Sequence, residues 1–310
     1  MLTQYYFDKT KHFLFFFFLH MNFEFLPTSS ASPNACRFKI TNTSISFVNG
    51  LRRTIISQTP TVAIHVVEIH ENTTTVNDEM LAHRMGFLPL RSLIDLKFQN
   101  QCVCNDGCEK CEVEFKLQAK NTKDEVLPVT NKHLTTSSTT VKPTEDTVLI
   151  LNLAKNQEIN ITAKAIKNVG ARHAKWNPAT IAAYRGCATI RLNETAGVLS
   201  KIPKTDKEAF VKSCPSQVFG MKVDDVEVLD PNRCTYCRDC FEMSGNIVKK
   251  NGLDHKDPKN SMVYIQASEK DFIFVLETTG VMSAIQLLQV ALSVLENKMI
   301  ELRLLNQKYL

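Results

Sequence analysis

Alternating and β-branched stretches predict strands along most of the chain beyond residue 35. Residues 37–40 and 113–120 alternate between polar and apolar side chains, as half-buried strands do. Residues 62–69 are rich in valine and isoleucine, which favour strands. Three further segments show similar patterns and are also predicted to be strands, at residues 148–153, 158–165 and 272–277.

Helical periodicity marks two short segments in the first third of the chain. One helix is predicted to end before Pro60, because one of its faces carries Phe47, Val48, Leu51, Ile55 and Ile56. A second helix is predicted at residues 78–85, with Asp78 as its N-terminal cap.

The C-terminal segment is the clearest predicted helix, from about Ser283 to Leu305. Apolar residues recur there every three or four positions, at Ile285, Leu288, Leu292, Leu295, Met299 and Leu302. Further apolar residues widen this arc beyond one face, so the helix is expected either to lie centrally in the core or to pack on a partner.

The remaining segments are expected to be connections and extensions. Residues 135–144 form a Ser/Thr-rich stretch that is predicted to be an exposed loop, and residues 251–260 a boundary. Residues 13–19 resemble the apolar core of a secretory signal and are too short to span a membrane. The alternative is that Met21 is the functional start and that residues 1–33 form a disordered or mis-assigned extension.

Composition and motifs argue against several functions. The net charge of +5 is too small a bias to indicate nucleic-acid binding, and no long basic run occurs. The histidines show no metallohydrolase spacing, the glycines form no phosphate-binding loop, and no nucleophile elbow is present. No catalytic residues are therefore assigned, and no membrane association is expected.

A compact group of cysteines predicts a metal site. Cys102, Cys104, Cys108 and Cys111 lie within ten residues, in a segment that contains a glycine. Four thiolates can enclose one tetrahedral Zn²⁺ and leave no open position for water, so the predicted role is structural. Such tight clustering also disfavours disulfides and favours a reducing compartment.

A second group of cysteines has the spacing of a ferredoxin-type pattern. Cys234, Cys237 and Cys240 are three residues apart, and Cys214 precedes a proline as a candidate fourth ligand. The residues alone leave three alternatives, which are an iron–sulfur cluster, zinc or no metal. Cys36 and Cys187 stand apart and are expected to be buried, inert thiols.

Three motifs then indicate a family. Residues 47–56 (FVNGLRRTII), 59–64 (TPTVAI) and 78–90 (DEMLAHRMGFLPL) resemble the signature of the α-like assembly subunits of RNA polymerases, and the resemblance covers nearly all of residues 36–310. The loop at 102–111 and residues 173–179 (HAKWNPA) resemble the third-largest subunit of RNA polymerase II. The members of this family in RNA polymerases I and III and in archaea usually carry Phe or Tyr at the position of Trp176.

The resemblance implies an α+β fold. An α-like RNA polymerase dimerisation domain, residues 34–87 and 256–310, would be interrupted by a β-rich inserted domain at 88–255. That inserted domain would carry the zinc loop (102–111) and the ferredoxin-like cysteine module (214–240).

The resemblance also implies partners. A smaller α-like subunit would pair with this chain. The resulting heterodimer would form the platform for the two largest subunits and would contact the second-largest catalytic subunit most directly. Small subunits of the tenth and twelfth type would bind nearby. Arg52 and Arg53 would face the large subunits. The active site would lie on other chains, in a nuclear enzyme. The implied dimer interface comprises Phe47, Leu51, Ile55, Ile285, Leu288, Leu292, Leu295 and Met299.

Two departures leave alternatives open. Cys214, Cys234, Cys237 and Cys240 resemble the iron–sulfur module of some archaeal homologues, which typical polymerase II subunits lack, and the C-terminal extension is short. The alternatives are a shared polymerase I/III subunit, an archaeal or viral α-like subunit or, in another class, an iron–sulfur electron-transfer protein.

Overall fold

The computed structural model describes residues 21–27, 32–92, 96–104, 107–144, 147–193, 198–254 and 260–309. The strands are, in chain order, β1 (Asn22–Leu26), β2 (Ala35–Thr41), β3 (Pro60–Asn72), β4 (Leu90–Ser92), β5 (Glu112–Lys120), β6 (Leu127–Thr130), β7 (Leu134–Thr135), β8 (Val141–Pro143), β9 (Leu149–Leu153), β10 (Glu158–Val169), β11 (Ala179–Leu192), β12 (Phe219–Lys222), β13 (Asp225–Val228) and β14 (Val263–Thr278). The helices are α1 (Ile45–Ser57), α2 (Asp78–Gly86), α3 (Val198–Lys201), α4 (Lys204–Lys212), α5 (Asp239–Lys250) and α6 (Ala284–Tyr309). The architecture is therefore mixed α and β.

The patterned segments adopt the predicted elements. In β5, Val113, Phe115 and Leu117 are buried while the residues between them are exposed, which is the alternation that a half-buried strand requires. Helix α1 ends at Ser57, before Pro60. Helix α6 begins at Ala284, one residue after the predicted start, and ends at Tyr309, four residues beyond the predicted end.

Two local predictions were wrong. The N-cap of α2 is Asn77, and Asp78 is the first helical residue, where its charge still favours the N-terminal end of the helix dipole. The Ser/Thr-rich stretch at 135–144 is not wholly an exposed loop, because Val141 is fully buried within β8 and Thr144 is also buried. Val141 pairs with Ser92 of β4, and this short ladder attaches the stretch to the core.

The chain divides into two compact units. One contains the described residues up to Glu24, together with Phe38–Ile45 and Tyr184–Phe274; the other contains Phe25–Arg37, Ser46–Ala183 and Val275–Leu310. The boundaries inferred from the sequence, at residues 87/88 and 255/256, remain a prediction. Residues 22–26, which the sequence analysis places in an N-terminal extension, form β1.

The larger unit is built on an antiparallel sheet in the order β3-β10-β5-β7. β10 pairs with β3 from Pro60↔Val169 to Asn72↔Ile159 and with β5 on its other edge. Isoleucines and alanines of β10 face a core that includes Phe115 and Leu117. Full burial of one such large side chain contributes about 1.5–3 kcal/mol, so this sheet is a rigid base for the loop that precedes β5.

The smaller unit has a separate core. Phe210 of α4, Phe219 of β12 and Ile247 of α5 are buried together, and the rings of Phe210 and Phe219 lie 5.0 Å apart. A β12-β13 hairpin adjoins these helices. This core surrounds the second group of cysteines, since Cys214, Cys234 and Cys240 belong to the same cluster of buried residues.

A further sheet has the order β1-β2-β14-β11. Cys36, Phe38 and Ile40 alternate inward along β2, and Phe38 stacks on Phe274 of β14 at 5.1 Å. Cys36 and Cys187 are both buried, as predicted, and burial raises the pKa of the Cys36 thiol.

The apolar run at residues 13–19 lies outside the described residues. Within the part of the chain that the structure describes, no helix has the length and hydrophobicity needed to cross a membrane.

Candidate metal centre and assembly surface

The four cysteines between residues 102 and 111 come together at one point. The Sγ–Sγ distance is 3.6 Å from Cys102 to Cys108, 3.5 Å from Cys104 to Cys111 and 3.9 Å from Cys108 to Cys111. A tetrahedral ion with metal–sulfur bonds of about 2.3 Å separates its sulfurs by about 3.8 Å. The spacing therefore suits one tetrahedral metal ion, and among the described residues this is the only group of three or more candidate ligands that could hold one.

The local backbone explains why these thiols converge. The backbone N–H of Cys111 donates to the carbonyl of Cys108 at 2.9 Å, which forms the turn of the two-residue knuckle. Gly107 has a φ of +91°, and a Cβ there would approach the Glu112 carboxylate to 2.8 Å. A residue without a side chain is thus favoured immediately before the knuckle.

The cluster is anchored to the central sheet. Cys111 is fully buried and directly precedes β5, so the loop ends on the strand that pairs with β10. The Lys97 backbone N–H donates to the Lys110 carbonyl at 2.9 Å and joins the two flanks of the loop. The four candidate ligands are therefore tied at one end to the strands of the central sheet.

The thiols strongly influence one another's ionisation. The backbone N–H of Cys104 and neighbouring thiols stabilise the Cys102 thiolate and lower the pKa of Cys102 to about 7. Hydrogen bonds to Cys102 and Cys111 raise the pKa of Cys104 to about 12. Four thiols this close cannot all ionise unless a positive charge lies among them, and a bound metal cation would supply that charge.

The second group of cysteines lines one cavity. Cys214, Cys234, Cys237 and Cys240 all border a space of about 470 Å³, with Cys237 exposed and the other three buried. Their sulfurs are not gathered closely enough for a single ion. An iron–sulfur cluster places its own iron and sulfide atoms between the cysteines and so needs a wider spacing. The structure therefore brings these residues around a common space but not around a common point.

Residues distant in sequence support this second group. Arg185 donates to the carbonyl of Cys234, and to that of Asn232 at 2.6 Å, while the Tyr236 hydroxyl donates to the Gly186 carbonyl at 3.0 Å. Sequence reasoning missed Arg185 and Tyr236. No local pattern could have identified Arg185, because β11 lies nearly fifty residues before the cysteines it contacts. Tyr236 lies between Cys234 and Cys237, but its partner Gly186 is fifty residues away.

Helix α6 has two different halves. Its first turns pack inward through Ala284, Leu287, Leu288 and Ala291, which are all buried. Its last turns leave large apolar side chains exposed, at Met299, Ile300, Leu302, Leu304 and Leu305. A run of exposed apolar residues on one helix end is typical of a surface that associates with another protein.

The predicted interface residues differ in their exposure. Leu51, Ile55 and Leu288 are buried within the chain, whereas Ile285 and Met299 are about half exposed. Phe47, Leu292 and Leu295 are intermediate between these groups. Lys298 of α6 also hydrogen-bonds Gln58, which follows α1, so the two helices that carry these residues are connected.

The predicted arginine contacts are also placed differently. Arg52 is half-buried and donates two hydrogen bonds to the Asn49 side-chain oxygen, at 3.2 and 3.0 Å. Arg53 is exposed. Arg53 is therefore the more accessible of the two guanidinium groups.

Comparison with known proteins assigns the family. The family model described as RNA polymerase Rpb3/RpoA insert domain matches residues 67–190. The chain is 34% identical, over 86% of each chain, to DNA-directed RNA polymerases II, IV and V subunit 3 of Arabidopsis thaliana. It is 30% identical to DNA-directed RNA polymerase II subunit rpb3 of Dictyostelium discoideum, over 86% of this chain and 89% of the relative.

An archaeal relative is slightly more distant. DNA-directed RNA polymerase subunit Rpo3 of Methanosphaera stadtmanae is 29% identical over 84% of this chain and 90% of its own length. The fold and these relatives define a class, the α-like subunits that help to assemble multisubunit RNA polymerases. Within that class, the chain belongs to the RNA polymerase subunit 3 (Rpb3/Rpo3) family and is a structural, non-catalytic subunit.

Proposed function

We propose that this chain forms a heterodimer with a smaller α-like subunit, and that the pair is the platform on which the two largest subunits of RNA polymerase II assemble. The relatives named as subunit 3 of RNA polymerase II support the assembly role. The observation that carries the heterodimer is the exposed apolar end of α6, where Met299, Leu302 and Leu304 are 52–61% exposed. Covering these side chains with a partner would remove apolar surface from water.

The proposed interface has a directly contacting part and a supporting part. Ile285 and Met299 are exposed enough to touch the partner, and Phe47, Leu292 and Leu295 are partly accessible. Leu51, Ile55 and Leu288 lie beneath them and would hold α1 and α6 in place. A charge at the buried positions would disrupt the chain itself, so only the exposed positions can test association.

The test is co-purification of the co-expressed pair. Met299→Asp combined with Leu302→Asp is expected to abolish recovery of the smaller subunit, because a desolvated carboxylate at an apolar interface is strongly unfavourable. Asn306→Asp adds a charge at an exposed polar position of the same helix and serves as the matched control. Normal recovery of the partner with the double variant would contradict the proposed interface.

Further contacts within the polymerase are proposed on the same basis. Arg53, with Arg52 beside it, would contact a larger subunit, most directly the second-largest catalytic one, and small subunits of the tenth and twelfth type would bind nearby. The exposed guanidinium of Arg53 supports its part of this proposal. The polymerase II relatives support a nuclear location.

We also propose that Cys102, Cys104, Cys108 and Cys111 hold a structural Zn²⁺. Four sulfur ligands without oxygen or nitrogen, at tetrahedral spacing, favour zinc among the common divalent ions. The ion would cross-link the loop, which has too few apolar residues to form a core of its own. Elemental analysis of the purified protein should find one zinc per chain, and Cys108→Ser should remove it.

For the second group, an iron–sulfur cluster on Cys214, Cys234, Cys237 and Cys240 is the candidate that the geometry favours. The cavity lined by all four residues supports a group larger than a single ion. Iron and acid-labile sulfide in anaerobically purified protein, absent from a Cys234→Ser variant, are the expected result. One zinc and no iron in the unmodified protein would contradict the cluster while leaving the first site intact.

A further inference from the structure

A surface on the larger unit combines positive charge with aromatic rings. It is formed by His65 on β3, His83 and Phe87 at the end of α2, and Arg172, His173 and Lys175 in the turn after β10. These six residues are called the basic–aromatic patch. None of them belongs to the proposed metal sites or to the proposed dimer interface.

Ring contacts connect the members of the patch. The ring centroids of His83 and Phe87 are 5.0 Å apart, and those of Phe87 and His173 are 5.9 Å apart. His173 and His65 both pack against Trp176, at 6.4 and 5.4 Å. Three elements that are distant in sequence therefore present one continuous surface with Trp176 beneath it.

The positive charge of the patch comes from Arg172 and Lys175. Lys175 Nζ lies 4.6 Å from the centroid of Trp176 and 3.2 Å from His65 Nδ1. Burial lowers the pKa of His65 first, and the nearby charges of Lys175, Arg172 and His173 lower it further. Within the described part of the chain, no carboxylate forms an ion pair with Arg172, His173 or Lys175.

The patch also contains one exposed apolar side chain, that of Phe87. Phe87, the residue that follows α2, is 47% exposed. Among the aromatic residues described, its ring contacts only those of His83 and His173. An exposed aromatic ring on the same surface as the cationic side chains of Arg172 and Lys175 is the complement of a segment that carries carboxylates around an apolar side chain.

We propose that the basic–aromatic patch binds an acidic segment, carrying an apolar side chain, of another subunit in the assembled polymerase. Carboxylates of that segment would pair with Arg172 and Lys175, and its apolar side chain would cover Phe87. This inference rests on the assembly role of the chain but not on the heterodimer interface at α6.

A protein occupant fits better than a nucleic acid. Single-stranded nucleic acids bind to surfaces that combine basic residues with accessible aromatic platforms on which successive bases stack. Here Trp176 is only 1% exposed and cannot serve as such a platform, which leaves one accessible phenyl ring. The other accessible rings, the imidazoles of His83 and His173, pack on this phenyl ring, so the surface suits one apolar side chain better than a row of stacked bases.

The first test is site-specific cross-linking within the assembled polymerase. A photo-reactive amino acid at position 87 is expected to cross-link to a segment of one other subunit that is rich in Asp and Glu. The same probe at Met80, which is exposed on α2 outside the patch, is the control. Cross-links to nucleic acid, to a basic or neutral segment, or to no subunit would overturn the proposal.

The second test uses matched substitutions and the same polymerase. Arg172→Glu and Phe87→Ala should each weaken retention of the cross-linked subunit, with about a tenfold loss of affinity for the reversed charge. Lys132→Glu and Met80→Ala change exposed residues elsewhere in the same unit and should have no effect. All four variants should still co-purify with the smaller α-like subunit, so a failure of the heterodimer proposal would be distinguishable. Equal retention by Arg172→Glu and Lys132→Glu would contradict the inference.

Discussion

Trp176, the single tryptophan of the chain, has a packing role that explains its place in the motif at residues 173–179. Its indole N–H donates to the Ile166 carbonyl at 3.2 Å, and its own carbonyl accepts from the Thr61 hydroxyl at 2.7 Å. The ring thereby joins the turn after β10 to β3. The sequence analysis used Trp176 only to distinguish polymerase classes, since its contacts with Thr61 and His65 on β3 lie more than a hundred residues away in the chain.

Replacement of Gly170 by a residue with a side chain should lower the stability of the fold. Gly170 follows β10 and passes the end of α1 so closely that a Cβ would lie 2.2 Å from the Ile56 carbonyl oxygen. The added methyl group of Gly170→Ala would force the backbone at Gly170 or Ile56 to shift. The substitution should therefore lower the free energy of unfolding by about 1–3 kcal/mol. Urea denaturation of the isolated heterodimer measures this change.

Gly245 provides the matched comparison for Gly170. It lies inside α5, and a Cβ there meets no atom within 4 Å. Gly245→Ala should therefore raise the free energy of unfolding by about 0.5–1 kcal/mol, because alanine loses less backbone entropy in a helix. Similar effects of the two substitutions would refute the steric explanation.

Asp206 should make stability depend on pH at the acid end. The side chains of Lys250 and Asn251 donate to its carboxylate at 2.6 and 3.1 Å, and the hydrogen bond from Lys250 is the main reason that the pKa of Asp206 lies below its usual value of 3.8. A lowered carboxyl pKa adds stability that is complete above the unfolded-state value and is lost as pH falls through the folded-state value.

The corresponding measurement compares acid denaturation of Asp206→Asn with that of the unmodified chain. The difference in stability should be largest near neutral pH and should shrink below about pH 4. Asp124→Asn removes a carboxylate from the exposed pair with Lys155 and is the control. A difference that stays constant down to strongly acidic pH would show that the ion pair between α4 and α5 does not titrate as described.

At the scale of elements, the strength of the pattern determined what could be predicted. β5 and α6 were clear from sequence because their apolar positions repeat with one period over many residues. The β12-β13 hairpin and helix α4 are too short for a repeated pattern, and the buried positions of α5, although at helical spacing, include Cys240 and Ser244, which are not strongly apolar. These elements form around a shared core. The close cysteine ligands at 102–111 were predictable because they are local, whereas Arg185 beside the second group was not.

The cysteine loop should lose order if the proposed Zn²⁺ is removed. The segment is held at its β5 end by Cys111 and Lys110, and the rest depends on the four thiols. Chelation should therefore increase amide hydrogen exchange at residues 102–111 while the amides of β10 remain protected. Uniform loss of protection in β10 would instead indicate that the ion stabilises the whole unit.

At the scale of the whole molecule, the exposed end of α6 links stability to assembly. A partner that binds only the folded chain stabilises it by about 2.7 kcal/mol when present at a hundred times its dissociation constant. The chain is therefore expected to melt at a higher temperature with the smaller α-like subunit than without it. Differential scanning calorimetry at several partner concentrations should show this rise, and Met299→Asp with Leu302→Asp should eliminate it.

The pairing of β3 with β10 also has a consequence for biosynthesis. These strands hydrogen-bond along their whole length although their residues are roughly a hundred positions apart, so a long intervening chain must be closed before the ladder forms. During translation β3 leaves the ribosome first, and the edge that pairs with β10 stays unpaired until β10 has also been synthesised. Slow, non-local sheet formation of this kind leaves a strand edge exposed to aggregation while the chain is still being made.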